Sequence, residues 1–199
     1  METAARREAT IERKTLETAI RLRLVIDGEG TWRGRTGIGF FDHLLSAFAR
    51  HGLFDLEAEV SGDLEVDGHH TVEDTGLCLG RALRTALGDK AGIRRMGSAF
   101  VPMDEALVHV AVDVSGRPFL ACNLSWSGPS IGALDTALVT EFLRAVAVEG
   151  GLTLHVRQLA GENDHHVAEA AFKALGRALD EACGRDPRVK GVPSTKGVL

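Results

Sequence analysis

Four of the eight histidines stand as two adjacent pairs, His69-His70 and His165-His166, and each pair is followed by a glutamate, Glu73 or Glu169, in the pattern HHxxE. Imidazole and carboxylate together are ligands for divalent metal ions. On a helix, residues four apart share a face, so His69 and Glu73 project together, as do His165 and Glu169. His70 and His166 then point about 100° away. One such helix offers two ligands to one ion and one to another. Two copies related by pseudo-symmetry would complete a pair of sites, each ion taking a His-xxx-Glu pair from one half and the odd histidine from the other. His43, at the head of a predicted helix, and its aligned counterpart Glu141 add one ligand per half. Eight ligands (His43, His69, His70, Glu73, Glu141, His165, His166 and Glu169) then divide into two sites without thiolate, a set that suits Mn²⁺, Fe²⁺ or Zn²⁺; octahedral sites with open positions favour manganese. The sequence leaves open whether the halves meet within one chain or across a subunit interface. His155 is an alternative eighth ligand, although its repeat partner Glu57 lies in no cluster and His155 reads as a strand histidine. His109 reads as structural, and His51, eight residues after His43, either reaches the same helix face or ends the helix.

The elements that carry these residues repeat. His69 to Gly88 aligns with His165 to Gly184 without a gap at an offset of 96 residues: HHxxE, then Leu-Gly-Arg-Ala-Leu (Leu79 to Leu83, Leu175 to Leu179), then Ala86 or Ala182 and a closing Gly88 or Gly184. Upstream, Asp42 to Ala49 lies over Thr140 to Ala147, and Glu17 with Ile20 to Gly28 lies over Glu105 with Val108 to Gly116. A tandem duplication follows, with a first half at 1–91 and a second at 92–199. No Pro/Gly/Ser-rich spacer separates them, so they form one compact unit. Each half opens on an alternating strand (Ile20, Leu22, Leu24 and Ile26 on one face; Val108, Val110, Val112 and Val114 on the other half's). An amphipathic helix (41–50, 136–149), a strand (53–60, 152–159) and a second helix (70–87, 165–183) follow, with Gly88 and Gly184 at helix C-caps. The expected fold is α+β, two β-sheets packed against a layer of helices. Asn123 to Thr136 reads as a loop or edge strand.

Composition narrows the function classes. A chain of 199 residues, 44% hydrophobic and 26% charged, is that of an ordinary globular protein with a real core. A net charge of −5 argues against non-specific nucleic-acid or membrane-surface binding. No apolar run reaches membrane-spanning length, and Met1 to Glu8 lacks a signal-peptide core. Three scattered cysteines (Cys78, Cys122, Cys183) are neither a disulfide framework nor a thiolate zinc site and fit the reducing cytoplasm.

Several ordered motifs, Gly39-Phe40-Phe41-Asp42-His43-Leu44, Gly68-His69-His70-Thr71-Val72-Glu73-Asp74, Pro102-Met103-Asp104-Glu105-Ala106, Ser115-Gly116-Arg117-Pro118, Asn163-Asp164-His165-His166 and Pro193-Ser194-Thr195-Lys196-Gly197, resemble the imidazoleglycerol-phosphate dehydratases of histidine biosynthesis, from about Arg13 to Leu199. The resemblance implies a lyase with two Mn²⁺ per active site, built between subunits of a homo-oligomeric, octahedral 24-mer, acting on a small phosphorylated imidazole. It implies catalytic roles for Glu17, His69, His70, Glu73 and His165, and substrate contacts from Glu17, His43, His51, Arg95, Arg117, Lys173, Ser194, Thr195 and Lys196. Chemistry alone does not separate Arg94 from Arg95; the family pattern prefers Arg95. The arginines, Lys196 and Ser194 would hold the phosphate, arginine through its planar fork. The proton to be lost sits on a carbon with no adjacent carbonyl. A ring held by ions at both nitrogens becomes imidazolate-like, expels the neighbouring hydroxyl and acidifies the next carbon. Glu17 is the first candidate for the base, with Asp104 and Glu105 in reserve. Two rivals share the ligand types: a two-metal phosphoester hydrolase, and a ferritin-like storage protein, which would instead need a four-helix bundle with Glu-x-x-His motifs.

Overall fold

The computed structural model describes residues 6–197 and 199; Met1 to Ala5, the start of the N-terminal segment considered above, lie outside the described residues. In the first half, β1 (Glu8–Lys14) and β2 (Thr18–Val25) form a hairpin, followed by β3 (Trp32–Arg35), α1 (Gly39–Gly52), β4 (Asp55–Gly62) and α2 (His69–Leu87). The second half repeats the order: β5 (Met96–Met103), β6 (Ala106–Asp113), β7 (Phe119–Asn123), α3 (Ala137–Gly150), β10 (Thr153–Ala160) and α4 (Asp164–Cys183). A short hairpin, β8 (Ser130–Ile131) and β9 (Leu134–Asp135), is inserted before α3, within the stretch expected to be loop or edge strand. The sheets have equivalent orders, β1-β2-β4-β3 and β5-β6-β10-β7, each with one parallel pair, β3 with β4 and β7 with β10. The fold is α+β with duplicated halves.

Strand alternation sorts the sheet faces. Ile20, Leu22 and Leu24 of β2, and Val108, Val110 and Val112 of β6, are buried under the helices. α2 covers β1 and β2, α4 covers β5 and β6, and the two halves meet through α1 against α4 and α2 against α3. Phe142 of α3 packs edge-on against Phe41 of α1 (centroids 5.3 Å apart) and stacks on Phe172 of α4 (5.1 Å), each pair contributing about 1 kcal/mol beyond its buried area.

The glycines of the two Leu-Gly-Arg-Ala-Leu motifs set the helix spacing. A Cβ on Gly176 would lie 2.5 Å from the Phe48 carbonyl oxygen, and one on Gly80 would lie 2.7 Å from that of Val146. His43 meets Glu169 near the starts of α1 and α4, and Gly52 meets Gly176 further along, so these helices run side by side in one direction with their first turns together. Gly88 ends α2 with a positive φ of 57°, but Gly184 does not end α4 that way: its φ is −57°. The chain beyond it must stay extended, because the Gly184 carbonyl accepts from Arg94 N and Arg185 bridges Ile93.

Candidate metal centre and substrate site

Asx side chains start the helices that carry the candidate ligands. Asp67 Oδ1 accepts from His69 N (2.7 Å) and Asn163 Oδ1 from His165 N (3.0 Å), so each histidine pair falls in the first turn. In the sequence Asp67 carries no reading, and Asn163 stands only as part of the Asn163-Asp164-His165-His166 motif. Their signal was there: an Asx two residues ahead of each repeat histidine pair.

At the joint between α1 and α4, His43 Nε2 lies 2.8 Å and His165 Nε2 3.2 Å from the same oxygen, Glu169 Oε2. One donor atom from each of these residues lies within 4.8 Å of the others, the one such metal-competent group among the described residues. Phe40 packs on the His165 ring with centroids 4.7 Å apart. Lys173 Nζ donates to the other Glu169 oxygen (2.7 Å). Burial pushes the Glu169 carboxyl up, but the bonds from Lys173 and His43 outweigh it and hold it at about 2. Two imidazole nitrogens and an ionised carboxylate oxygen facing one point fit a borderline divalent ion such as Mn²⁺, Fe²⁺ or Zn²⁺.

The pseudo-equivalent joint between α2 and α3 is more open. His69 Nε2 lies 3.7 Å from Glu73 Oε2, while Glu141 accepts from Arg144 (3.2 Å). The odd histidines turn away from both joints. His70 Nδ1 is held by Asp63 (3.0 Å) and His166 Nδ1 by Glu105 (2.7 Å), leaving each Nε2 directed elsewhere. Hydrogen bonding to these carboxylates raises the pKa of both rings. A carboxylate on Nδ1 fixes the tautomer that ligates through Nε2. Asp63 was not found from the sequence, since a lone aspartate in a loop carries no pattern.

The reserve bases are not equivalent to Glu17. Glu105 accepts from His166 and from the backbone N–H groups of Asn163 (2.9 Å) and Glu162 (3.3 Å), and is held at about 2 by the His166 bond first and these amides next. Glu17 is half exposed, and its nearest charged neighbour is His70 Nε2 at 3.6 Å. Asp104 lies 3.7 Å from His166 Nε2 and has a positive φ of 48°.

Arg95, Arg117 and the C-terminal tail converge elsewhere. Arg95 donates to both oxygens of Asp113 (2.7 and 3.0 Å) and to the Pro193 carbonyl (2.9 Å), next to Ser194, Thr195 and Lys196. Arg117 approaches Asp113 at 3.9 Å, and the Leu199 backbone reaches Gly116. Arg95 N donates to the carbonyl of Ala182 at the far end of α4. Ala182 is 13 residues beyond Glu169, about 20 Å at 1.5 Å per residue. His51 sits at the end of α1, in a cleft of about 820 Å³ with Arg50, Arg94, Arg177 and Asp180, within reach of the charges of Lys173 and Glu169. Burial and the neighbouring cations lower its pKa. His155 lies on the outer face of its sheet beside Phe119 (6.0 Å), away from the ligand group, and His109 stacks there on Phe100 (4.1 Å).

A family model described as imidazoleglycerol-phosphate dehydratase matches residues 36–179. The imidazoleglycerol-phosphate dehydratase of Moorella thermoacetica is 65% identical over 193 residues, covering 97% of this chain and 98% of its relative. The chain belongs to the imidazoleglycerol-phosphate dehydratase family. The Thermoanaerobacter pseudethanolicus dehydratase is 59% identical over 97% of this chain and all of its own. Crystal structures from the same family superpose with a TM-score of 0.82: that from Staphylococcus aureus at 37% identity, covering 90% of this chain and 99% of the other, and that from Pyrococcus furiosus in complex with (S)-C348 at 38%, covering 95% and 100%. The chain is thus a hydro-lyase that dehydrates imidazoleglycerol phosphate in histidine biosynthesis. The substrate presents an imidazole at one end and a phosphate at the other, and the two residue groups above match those ends in chemical type. No helix among the described residues is long and apolar enough to cross a membrane.

Proposed function

We infer that the dehydration takes place at sites shared between copies of this chain, each holding two divalent ions, Mn²⁺ by preference. The observation that carries this reading is that Arg95 of the Arg95–Arg117–tail group is anchored through its backbone beside Ala182, 13 residues and about 20 Å along α4 from Glu169 of the His43–His165–Glu169 group. A substrate of three side-chain carbons cannot touch both within one chain, so the phosphate group of one copy must serve the ligand group of another. The outward turn of His70 and His166 supports the same arrangement. A homo-oligomer follows, of the octahedral 24-subunit kind the family pattern implies, and the three free cysteines fit a cytoplasmic setting.

His43, His165 and Glu169 would hold one ion, and His69, Glu73 and Glu141 the other once Glu141 leaves Arg144. His70 and His166, oriented by Asp63 and Glu105, would complete the sets of neighbouring copies. When bound, the ions supply Lewis acidity to the imidazole ring and fix its position. Arg95, Arg117, Ser194, Thr195 and Lys196 bind the phosphate and orient the chain, with Lys173 and His51 as further substrate contacts. Glu17 takes the proton from the second side-chain carbon after the hydroxyl on the first departs. That proton and the departed hydroxide make up the water released, and the enol left behind ketonises as its hydroxyl proton is replaced by one on the first carbon. The freedom of Glu17 from strong donors suits it to its step, whereas Glu105 is saturated by three.

The test is exhaustive chelation followed by Mn²⁺. Dehydration should vanish and return, and undiminished turnover by metal-free protein would refute the reading. Glu17→Gln should keep its metal and lose turnover by at least about a hundredfold; a near-normal rate would remove Glu17 as the base.

A further inference from the structure

We propose that the Arg13–Asp74–Thr18 network, centred on the buried Asp74 and Thr18, is a positioning device for the Glu17 carboxylate, resting on the reading of Glu17 as the base. Asp74, on α2 next to Glu73, is 5% exposed, and its Oδ2 accepts from the Arg13 guanidinium and from Thr18 Oγ1 (2.5 Å). Arg13 is the next-to-last residue of β1 and Thr18 begins β2, so the network clamps both arms of the hairpin that presents Glu17 to the helix carrying His69, His70 and Glu73. Within the turn, Thr15 Oγ1 accepts from Glu17 N (3.1 Å) and Thr18 N (2.9 Å). The Glu17 carbonyl accepts from Asp63 N (3.2 Å), and Asp63 also orients His70. Glu17 is therefore fixed through its backbone, and its carboxylate is left free.

The second half is an internal control. By the repeat offsets, Arg13, Thr18 and Asp74 correspond to Val101, Ala106 and Ala170, which are 8%, 1% and 0% exposed. The same hairpin-on-helix joint is thus made there by apolar side chains. The fold does not need the charged cluster, and a buried ion pair gives little or no stability over well-packed apolar groups. The halves also treat their glutamates in opposite ways. Glu105 is held by its own carboxylate on three donors, whereas Glu17 is held by a polar network that does not touch that carboxylate. A base must reach a proton within a few tenths of an ångström, and a displacement near 1 Å costs about a hundredfold in rate.

The test transplants the second half's solution. The triple variant Arg13→Val/Thr18→Ala/Asp74→Ala, assayed as the full assembled chain with Mn²⁺, should fold, keep its metal content and keep KM within about threefold, while kcat falls about tenfold or more. Should the triple variant fail to fold, Thr18→Ala against Thr18→Ser decides. The first should lower kcat at unchanged metal content, and the second, which keeps the hydroxyl, should restore it. A kcat within twofold of the parent in the deciding variant overturns the inference, as does a kcat loss matched by metal loss or left unrescued by serine. Glu17→Gln is run in parallel. A near-normal rate there defeats the base reading itself, whereas a severe loss there with an unaffected network variant defeats only the positioning role.

Discussion

Replacing Gly176 by alanine should trade a better helix for a damaged site. An alanine in a helix interior is favoured over glycine by about 1 kcal/mol. At this position, however, the new Cβ would lie 2.5 Å from the Phe48 carbonyl oxygen and 3.0 Å from Gly52 N. Restoring ordinary contact at 3.4 Å from that oxygen requires α1 and α4 to part by about 0.9 Å. Backbone on both sides leaves no flexible side chain to yield. Overpacking of this kind costs about 1–3 kcal/mol, so the net loss of stability is roughly 1 kcal/mol and the melting temperature falls by only a few degrees. The same opening lies between His43 on α1 and Glu169 on α4, whose donor atoms now sit 2.8 Å apart. A misplacement of that size is expected to lower kcat by about a hundredfold and to reduce bound Mn²⁺. Metal content by atomic spectroscopy, thermal melting by circular dichroism and turnover of imidazoleglycerol phosphate should be measured on one preparation. A variant with parental metal content and turnover would refute the claim that this glycine sets the spacing of the metal group.

Leu53 caps α1 with a left-handed φ of 55°, where the repeat counterpart Gly151 has 63°, and its side chain is half exposed; Leu53→Gly should therefore raise the denaturant midpoint by up to about 1 kcal/mol of stability, and a lower midpoint would contradict it. Asp27 has its pKa lowered by the hydrogen bond from Arg7, so the pair stabilises the fold above the ordinary carboxylate pKa and loses that contribution as pH falls through the lowered value. With Asp27 half exposed, Asp27→Asn should cost no more than about 1 kcal/mol at pH 7, a difference that disappears at strongly acidic pH in urea titrations. Lys196→Ala should raise KM while leaving bound metal unchanged, because the tail lies with Arg95 and Arg117 rather than with the ligand group; an unchanged KM would return the tail to a structural role.

Much of the fold is legible in the chain because an internal repeat, gapless over its second helices, states most signals twice. Alternating valines and leucines set the strands, the repeated Leu-Gly-Arg-Ala-Leu set the second helices, and their bounds differ from the structure by only a residue or two. Gly184 caps α4 as expected but without a left-handed turn, because a glycine permits that turn without requiring it and a distant bridge between Ile93 and Arg185 keeps the chain extended. Asp63 gave no signal and Asp74 stood in a motif without a role of its own, since a single aspartate acquires meaning only from the histidine, arginine or threonine that the fold brings to it.

The sequence by itself determined the ligand types, their helical spacing and the duplication, because periodicity and residue chemistry are local properties. Tertiary structure alone decided which ligands meet: His43 of the first half with His165 and Glu169 of the second, through helices that glycine lets approach. It also decided that Glu17 is free while Glu105 is bound, and that the Arg95 backbone is anchored beside Ala182, about 20 Å along α4 from Glu169. Those are distances between residues far apart in sequence, fixed by how the helices pack, and no local pattern encodes them.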